Sequence, residues 1–243
     1  VHPSAHIAFF AAGFIAEIVA TMAGFGSSTI LMPVATLFFD FPTALLLVGV
    51  FHVAGSASRV AFFRHGLSRR ILLVFGLPSL ALAIPGALLV RSTPEPVLKG
   101  MLGVFLVAYA AISLWHGLRV RPTVPAMVTG GAVSGFLAGL IGTGGALRGA
   151  FLSAFQLPRD QYLANAAAIA FAVDVTRLPV YFGEGFSERV PWTYYPLLIG
   201  IAWAGAFVGR QLVTRVPQER FRQIVFGLLL LVGLYFTIRW IRG

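Results

Sequence analysis

Apolar runs separated by short polar breaks recur along the whole chain. They cover Ile7–Ala23, a shorter Ser27–Phe39, then Thr43–Phe63, Ile71–Val90 and Val97–Leu118. After Arg119, Arg121 and Pro122 the pattern restarts, with Pro125–Ile141, a short Ala146–Leu157, Gln161–Phe182, Trp192–Leu212 and Phe221–Ile238. A hydrocarbon core about 30 Å thick takes about 20 helical residues, so the long runs predict membrane-spanning helices. The short runs, at about 1.5 Å of rise per residue, reach only about 20 Å.

Each half therefore reads long, short, long, long, long. The long-to-short junction is glycine-rich both times, "AGFGSSTILMP" from Ala23 and "IGTGGALRGAF" from Ile141. Other marks recur in the same order: Phe41-Pro42 with Leu157-Pro158, Ser58-Arg59 with Thr176-Arg177, Pro94 with Pro217. The chain reads as an internal duplication, with a first repeat over 1–121 and a second over 122–243.

The position of the basic residues decides how a long and a short segment lie together. If each pair forms a hairpin that turns at the glycines, the loops on one side hold Arg64, Arg69, Arg70, Arg119, Arg121, Arg159, Arg210, Arg215, Arg220 and Arg222. The other side then holds Arg91, Lys99, Arg189, Arg239 and Arg242. If each pair forms one broken crossing, the basic residues divide almost evenly. Arginine and lysine concentrate in cytoplasmic loops, which favours the hairpins. A hairpin plus three crossings leaves an odd number per repeat, so the halves are inverted and both termini lie outside. The expected fold is an all-α polytopic membrane protein of two inverted repeats. Each is a helix–short-helix hairpin with a glycine-rich turn plus three transmembrane helices, the architecture of secondary transporters.

Composition agrees. Hydrophobic residues make up 58% of the 243 and charged residues 11%, less than half of the roughly 25% that a soluble domain carries. The net charge of +10 sits in short clusters between apolar segments, the placement of topology determinants, so nucleic acid is set aside. With no cysteine there is neither a disulfide frame nor a thiolate metal site. No charged stretch precedes the first apolar run, so no cleavable signal is expected.

Five ionisable residues fall inside apolar segments: Glu17, Arg59, Arg148, Asp174 and Arg177, with His52 and Asn165 as polar company. Each charge at such depth costs about 2.5–3.5 kcal/mol on insertion scales, so a cavity or a partner is expected beside it. Arg148 lies in the first turn of the short helix predicted to begin near Gly145. A cation there opposes the helix dipole, whereas a bound anion would collect backbone N–H groups, dipole and guanidinium together. The matching place in the first repeat holds Ser27, Ser28 and Thr29, neutral donors suited to oxyanion oxygens. Close glycine packing with Arg148 snorkelling to the surface competes with this reading. A phosphate-loop reading of Gly142-Thr143-Gly144 fails, since no strand precedes it and no lysine follows at the required spacing.

Asp174 and Arg177, three apart, can pair on one helix face. Arg59 and Arg177 stand near the ends of their segments, where interfacial anchoring competes with a ligand role. His52 reads as a packed, hydrogen-bonded histidine or a proton relay. Glu17, two turns before Gly24, reads as a coupling carboxylate or an interhelical hydrogen bonder. The available proton-coupling groups are thus Glu17, His52, Asp174 and Asn165.

The duplicated module, with Gly24-Phe25-Gly26-Ser27-Ser28 and Gly142-Thr143-Gly144-Gly145-Ala146 after each first helix, resembles the sulfite exporter TauE/SafE family. These bacterial membrane transporters are also called toluene sulfonate uptake permeases. The resemblance runs from about Phe9 to Ile238. The first copy departs from the family's run of glycines by ending in two serines. The resemblance implies sulfite, sulfoacetate or related organosulfonates as cargo and the bacterial inner membrane as location. The expected function is a secondary transporter, with export ahead of proton-coupled uptake. Its anion would lie between the two glycine turns, among Gly24, Gly26, Ser27, Ser28, Thr29, Gly142, Thr143, Gly144, Gly145, Arg148, Arg177 and Arg59. The expected partners are that anion and the bilayer; a homodimer stays open. No metalloprotease or nucleophile-base motif appears, so an enzyme is not expected, nor a metal or cofactor. A non-transporting scaffold would leave the buried arginines without a purpose.

Overall fold

A computed structural model of the protein describes residues 3–23, 26–115, 121–188, 190–212 and 218–242. Gly24, Phe25, Arg119, Arg189 and Arg215, named above, lie outside the described residues. Ten helices cover nearly all of the rest, and no strand occurs among the described residues. The first five are α1 (Pro3–Ala23), α2 (Ser28–Ala35), α3 (Phe41–Phe63), α4 (Arg69–Ser92) and α5 (Glu95–Trp115). The second five are α6 (Val124–Ile141), α7 (Gly144–Ala154), α8 (Arg159–Gly183), α9 (Tyr194–Leu212) and α10 (Gln218–Ile241). Of these, α3, α4, α5, α6 and α8 are long and apolar enough to cross a membrane.

Local chemistry sets the boundaries. Asp40 caps α3 by accepting a hydrogen bond from the Thr43 amide at 3.2 Å, and Thr123 caps α6 from the Ala126 amide at 3.4 Å. Both helices carry proline in their first turn, where its missing N–H costs nothing. In α4, Pro78 lacks the N–H that would bond the carbonyl four residues back, and the ladder widens into a π turn over Leu72–Gly76 just before it. Gly142 ends α6 at φ +76°, a left-handed conformation that glycine adopts without a side-chain clash, and α7 starts two residues later.

The long and short helices of each half fold back on one another as hairpins. The Phe9 ring near the start of α1 meets Phe39, just beyond α2, with centroids 5.1 Å apart. In the second hairpin a Cβ on Gly130 of α6 would strike the ring of Phe151 near the end of α7. The hairpins enter from opposite ends of the bundle. At the end where α1 starts, Phe10 packs on Tyr194 and Arg91 pairs with Glu184 at 3.1 Å. At the end where α7 finishes, Gly66 lies against the backbone of Asp160, and the Ser68 amide donates to Asn165 Oδ1 at 2.9 Å. One broken crossing per repeat would have put the 64–70 loop and the start of α8 at opposite ends.

The packing is symmetric under exchange of the halves. α1 lies on α9 as α6 lies on α4, and α3 on α9 as α8 on α4. The pairs α3–α8, α5–α10 and α2–α7 map onto themselves. The α4–α6 contact is the tightest in kind: Gly131, Gly135 and Gly139 sit directly on the backbone of Phe75, Ser79 and Ala83, with no room for a Cβ. Such small-residue faces let helices associate by close van der Waals packing where lipid removes the hydrophobic drive between them.

Candidate functional site

The self-matched pair α3–α8 carries most of the buried charge. Arg59 is the nineteenth residue of α3 and Arg177 the nineteenth of α8, so the duplicated Ser/Thr-Arg marks occupy equivalent positions. Both are buried, 4% and 1% exposed, which excludes interfacial anchoring for either. Each reaches from its helix to the first helix of a hairpin. Arg59 pairs with Glu17 of α1 and also donates to Ser56 Oγ at 3.0 Å. Arg177 donates to Asp174 Oδ1 through Nε at 2.8 Å, and its Nη1 donates to the Ala138 carbonyl near the end of α6. Tyr181 adds its hydroxyl to the Gly139 carbonyl. Tyr181 thereby satisfies the Gly139 carbonyl at the helix end, while Arg177 adds a second donor to the Ala138 carbonyl, which already accepts the Gly142 N–H at 3.2 Å. Both tie α8 to the end of α6 beside the second glycine turn.

His52 joins the two halves at mid-helix. Its Nδ1 lies 2.7 Å from Asp174 Oδ2, 122 positions away in sequence. The same carboxylate thus holds an arginine on one oxygen and a histidine on the other. The His52 Nε2 has no hydrogen-bond partner among the described residues. It points at Gly26, which sits at φ +92°, and a Cβ there would run into the imidazole.

Arg148 differs from the other two buried arginines. It is 3% exposed and has no carboxylate within ion-pair distance among the described residues, and its Nε is without a hydrogen-bond partner. It is the fifth residue of α7, at the start of the second turn, because the helix begins at Gly144. The dipole acts mainly within the first turn, so burial, more than the dipole expected from sequence, is what the charge works against. A small cavity of about 10 Å³ lies in front of it, lined by Gly26, His52, Arg59, Arg148 and the α8 residues Leu163, Ala166, Ala167 and Ala170. That is about the room one water needs.

The residues expected from sequence divide accordingly. Gly26, His52, Arg59 and Arg148 line the cavity, with Asp174 and Arg177 directly behind His52. Ser27, Ser28, Thr29 and Thr143 are buried at the turns; the hydroxyls of Thr29 and Thr143 lack partners among the described residues. Gly142 packs on Leu45 and Met32, and Gly144 on the Ser134 carbonyl of α6, so this turn closes the hairpin and Arg148 alone of its segment reaches the cavity. Gly145 is buried in α7 and absent from the lining. Asn165 is committed elsewhere: it bonds the Ser68 amide, the Gly66 carbonyl at 3.0 Å and the Gln161 carbonyl at 2.7 Å. That clamps the 64–70 loop and leaves no donor for proton coupling. The alanines of α8 were not singled out in sequence; small apolar residues in an apolar helix carry no signal of their own. No group of three or more candidate metal ligands occurs among the described residues.

Among the described residues, three buried guanidiniums stand against two buried carboxylates around the cavity, one formal positive charge in excess. A family model described as Sulfite exporter TauE/SafE matches residues 9–236. The chain belongs to the TauE/SafE family. Its apolar helices make it a multi-pass membrane protein of a transporter family for sulfite-type sulfur anions. No curated protein and no solved structure matches the chain.

Proposed function

We propose that the protein is a secondary transporter of small sulfur-containing anions (sulfite, sulfoacetate or related organosulfonates) that carries them past Arg148. The observation that carries this reading is that among the described residues Arg148 has no ion-pair partner at the cavity, and a bound anion supplies one. The guanidinium fork suits two oxygens of an oxyanion at once. A cavity with room for about one water is too small for the anion, so passage of the cargo requires the hairpins and the α3–α8 pair to part on one side at a time. The bacterial inner membrane is the proposed location, with export the favoured direction. A negative interior drives a monoanion outward by about 2.3 kcal/mol per 100 mV, so export needs no coupling ion.

The two halves, 1–121 and 122–243, act in this reading as inverted repeats about the α3–α8 contact. Hairpins entering from opposite ends and the symmetric packing support it. The 64–70 loop is then cytoplasmic and the 183–190 loop outside. In intact cells an impermeant thiol reagent is expected to label Ser187→Cys and not Ser68→Cys; labelling of Ser68→Cys from outside would overturn the topology.

Purified protein in liposomes is expected to carry isotope-labelled sulfite at a rate that saturates with concentration and that an imposed potential, negative on the side holding the anion, accelerates. Flux equal to that of protein-free liposomes would make the protein a scaffold instead.

A further inference from the structure

One ring nitrogen of His52 faces the cavity with no hydrogen-bond partner among the described residues, and the transport cycle proposed above gives it no task. Asp174 is held as a carboxylate by Arg177, with Arg177 Nη2 2.7 Å from Oδ1. An ionised carboxylate only accepts hydrogen bonds, so His52 Nδ1 must carry the hydrogen of the 2.7 Å contact to Oδ2. That fixes the tautomer. Nε2 of the neutral ring is then a lone pair, buried with the rest of a side chain only 3% exposed, and it looks into the cavity beside Gly26. The charged groups facing the ring are Asp174 from α8, Arg148 from α7 and Arg59 from its own helix; Glu17 of α1 is taken up by Arg59.

An anion drawn in by Arg148 meets this lone pair. Every oxygen of a sulfonate is an acceptor, so a sulfonate sets acceptor against acceptor. A hydrogen-bearing monoanion such as bisulfite brings its own O–H and can donate it to Nε2 while its other oxygens accept from Arg148. A dianion such as sulfite can be held only if a proton comes with it and rests on Nε2, which becomes a donor; the site then gains a second positive charge against the second negative one. Resting on the anion site proposed above, we infer that His52 is a specificity-determining residue that makes the protein prefer, among the proposed sulfur anions, those carrying, or accompanied by, one proton, and bind sulfonates more weakly. The cargo is thus the equivalent of a hydrogen-bearing monoanion, whichever form arrives. Gly26 belongs to this device, since any side chain there would push the imidazole off Asp174 or fill the space the cargo's hydroxyl needs.

Calorimetric binding of sulfite and of methanesulfonate to the detergent-solubilised full-length protein tests this. A buried acceptor left facing an acceptor should weaken methanesulfonate relative to sulfite on the order of ten- to a hundredfold. At alkaline pH, where sulfite is the dianion, titrations in buffers of different ionisation enthalpy are expected to show about one proton taken up per anion bound. His52→Gln offers an amide donor that does not titrate. It is expected to bind methanesulfonate better than the wild type does, to bring the two anions near parity, and to abolish proton uptake. Wild-type binding without proton uptake, or without preference between the anions, overturns the role of His52, and needs no variant to fold. Sulfite binding that survives in Arg148→Ala instead overturns the site itself. The two failures are separable.

Discussion

Arg148→Ala is expected to abolish anion binding while leaving the empty protein as thermally stable as the wild type, or modestly more so. Most substitutions of buried residues destabilise, usually by about 0.5–3 kcal/mol, because they remove packing or leave a partner unpaired. Here the removed group has no ion-pair partner to strand among the described residues, and its Nε lacks even a hydrogen bond. Removing the charge lifts a desolvation cost that no ion pair among the described residues offsets. With ligand present the order reverses. Sulfite at a hundred times its dissociation constant should stabilise the wild type by about 2.7 kcal/mol through mass action and raise its melting temperature. The variant, having no site, should not respond. Thermal unfolding of both proteins, with and without sulfite, reads this directly. A large loss of stability in unliganded Arg148→Ala would mean the charge is structurally compensated after all.

The Arg59–Glu17 pair should behave in the opposite way. Both partners are buried and bonded to each other between α1 and α3, and removing one side of such a pair costs about 3–5 kcal/mol. The two single variants should also differ. Arg59→Ala leaves a carboxylate that can neutralise itself by taking up a proton, whereas Glu17→Ala leaves a guanidinium that cannot shed its charge. Glu17→Ala is therefore expected to be the less stable of the two. The double variant should be more stable than the sum of the single losses implies, since the charge each deletion strands is gone. Thermal unfolding of the three variants checks the ranking. Equal, small losses in both single variants would show that the pair carries little energy.

Much of this was legible in the sequence, for physical reasons. Length and polarity of the runs place all ten helices, because lipid demands unbroken apolar stretches and turns gather glycine, proline and charge. The hairpins follow from the arginine distribution, and contacts such as Gly66 on Asp160 agree with them. Equivalence of Arg59 and Arg177 is visible in the repeated Ser/Thr-Arg marks. What each arginine grips is not: Glu17 lies 42 positions from Arg59, and Ala138 is 39 from Arg177 and offers only its backbone carbonyl. The contact of His52 with Asp174 depends on how α3 meets α8, which no local pattern encodes. Nor could spacing tell that the second glycine turn packs on α6 while Arg148, a turn further on, faces the cavity. Asn165 shows the reverse case, a polar residue at depth that serves a loop beyond its helix.

Arg148, the buried guanidinium without an ion-pair partner among the described residues, is where the anion is proposed to bind. Equilibrium dialysis of isotope-labelled sulfite against purified wild type and Arg148→Ala tests it most directly. A single saturable site is expected in the wild type and none in the variant; equal saturable binding to both, or no saturable binding to the wild type, would overturn the assignment of Arg148.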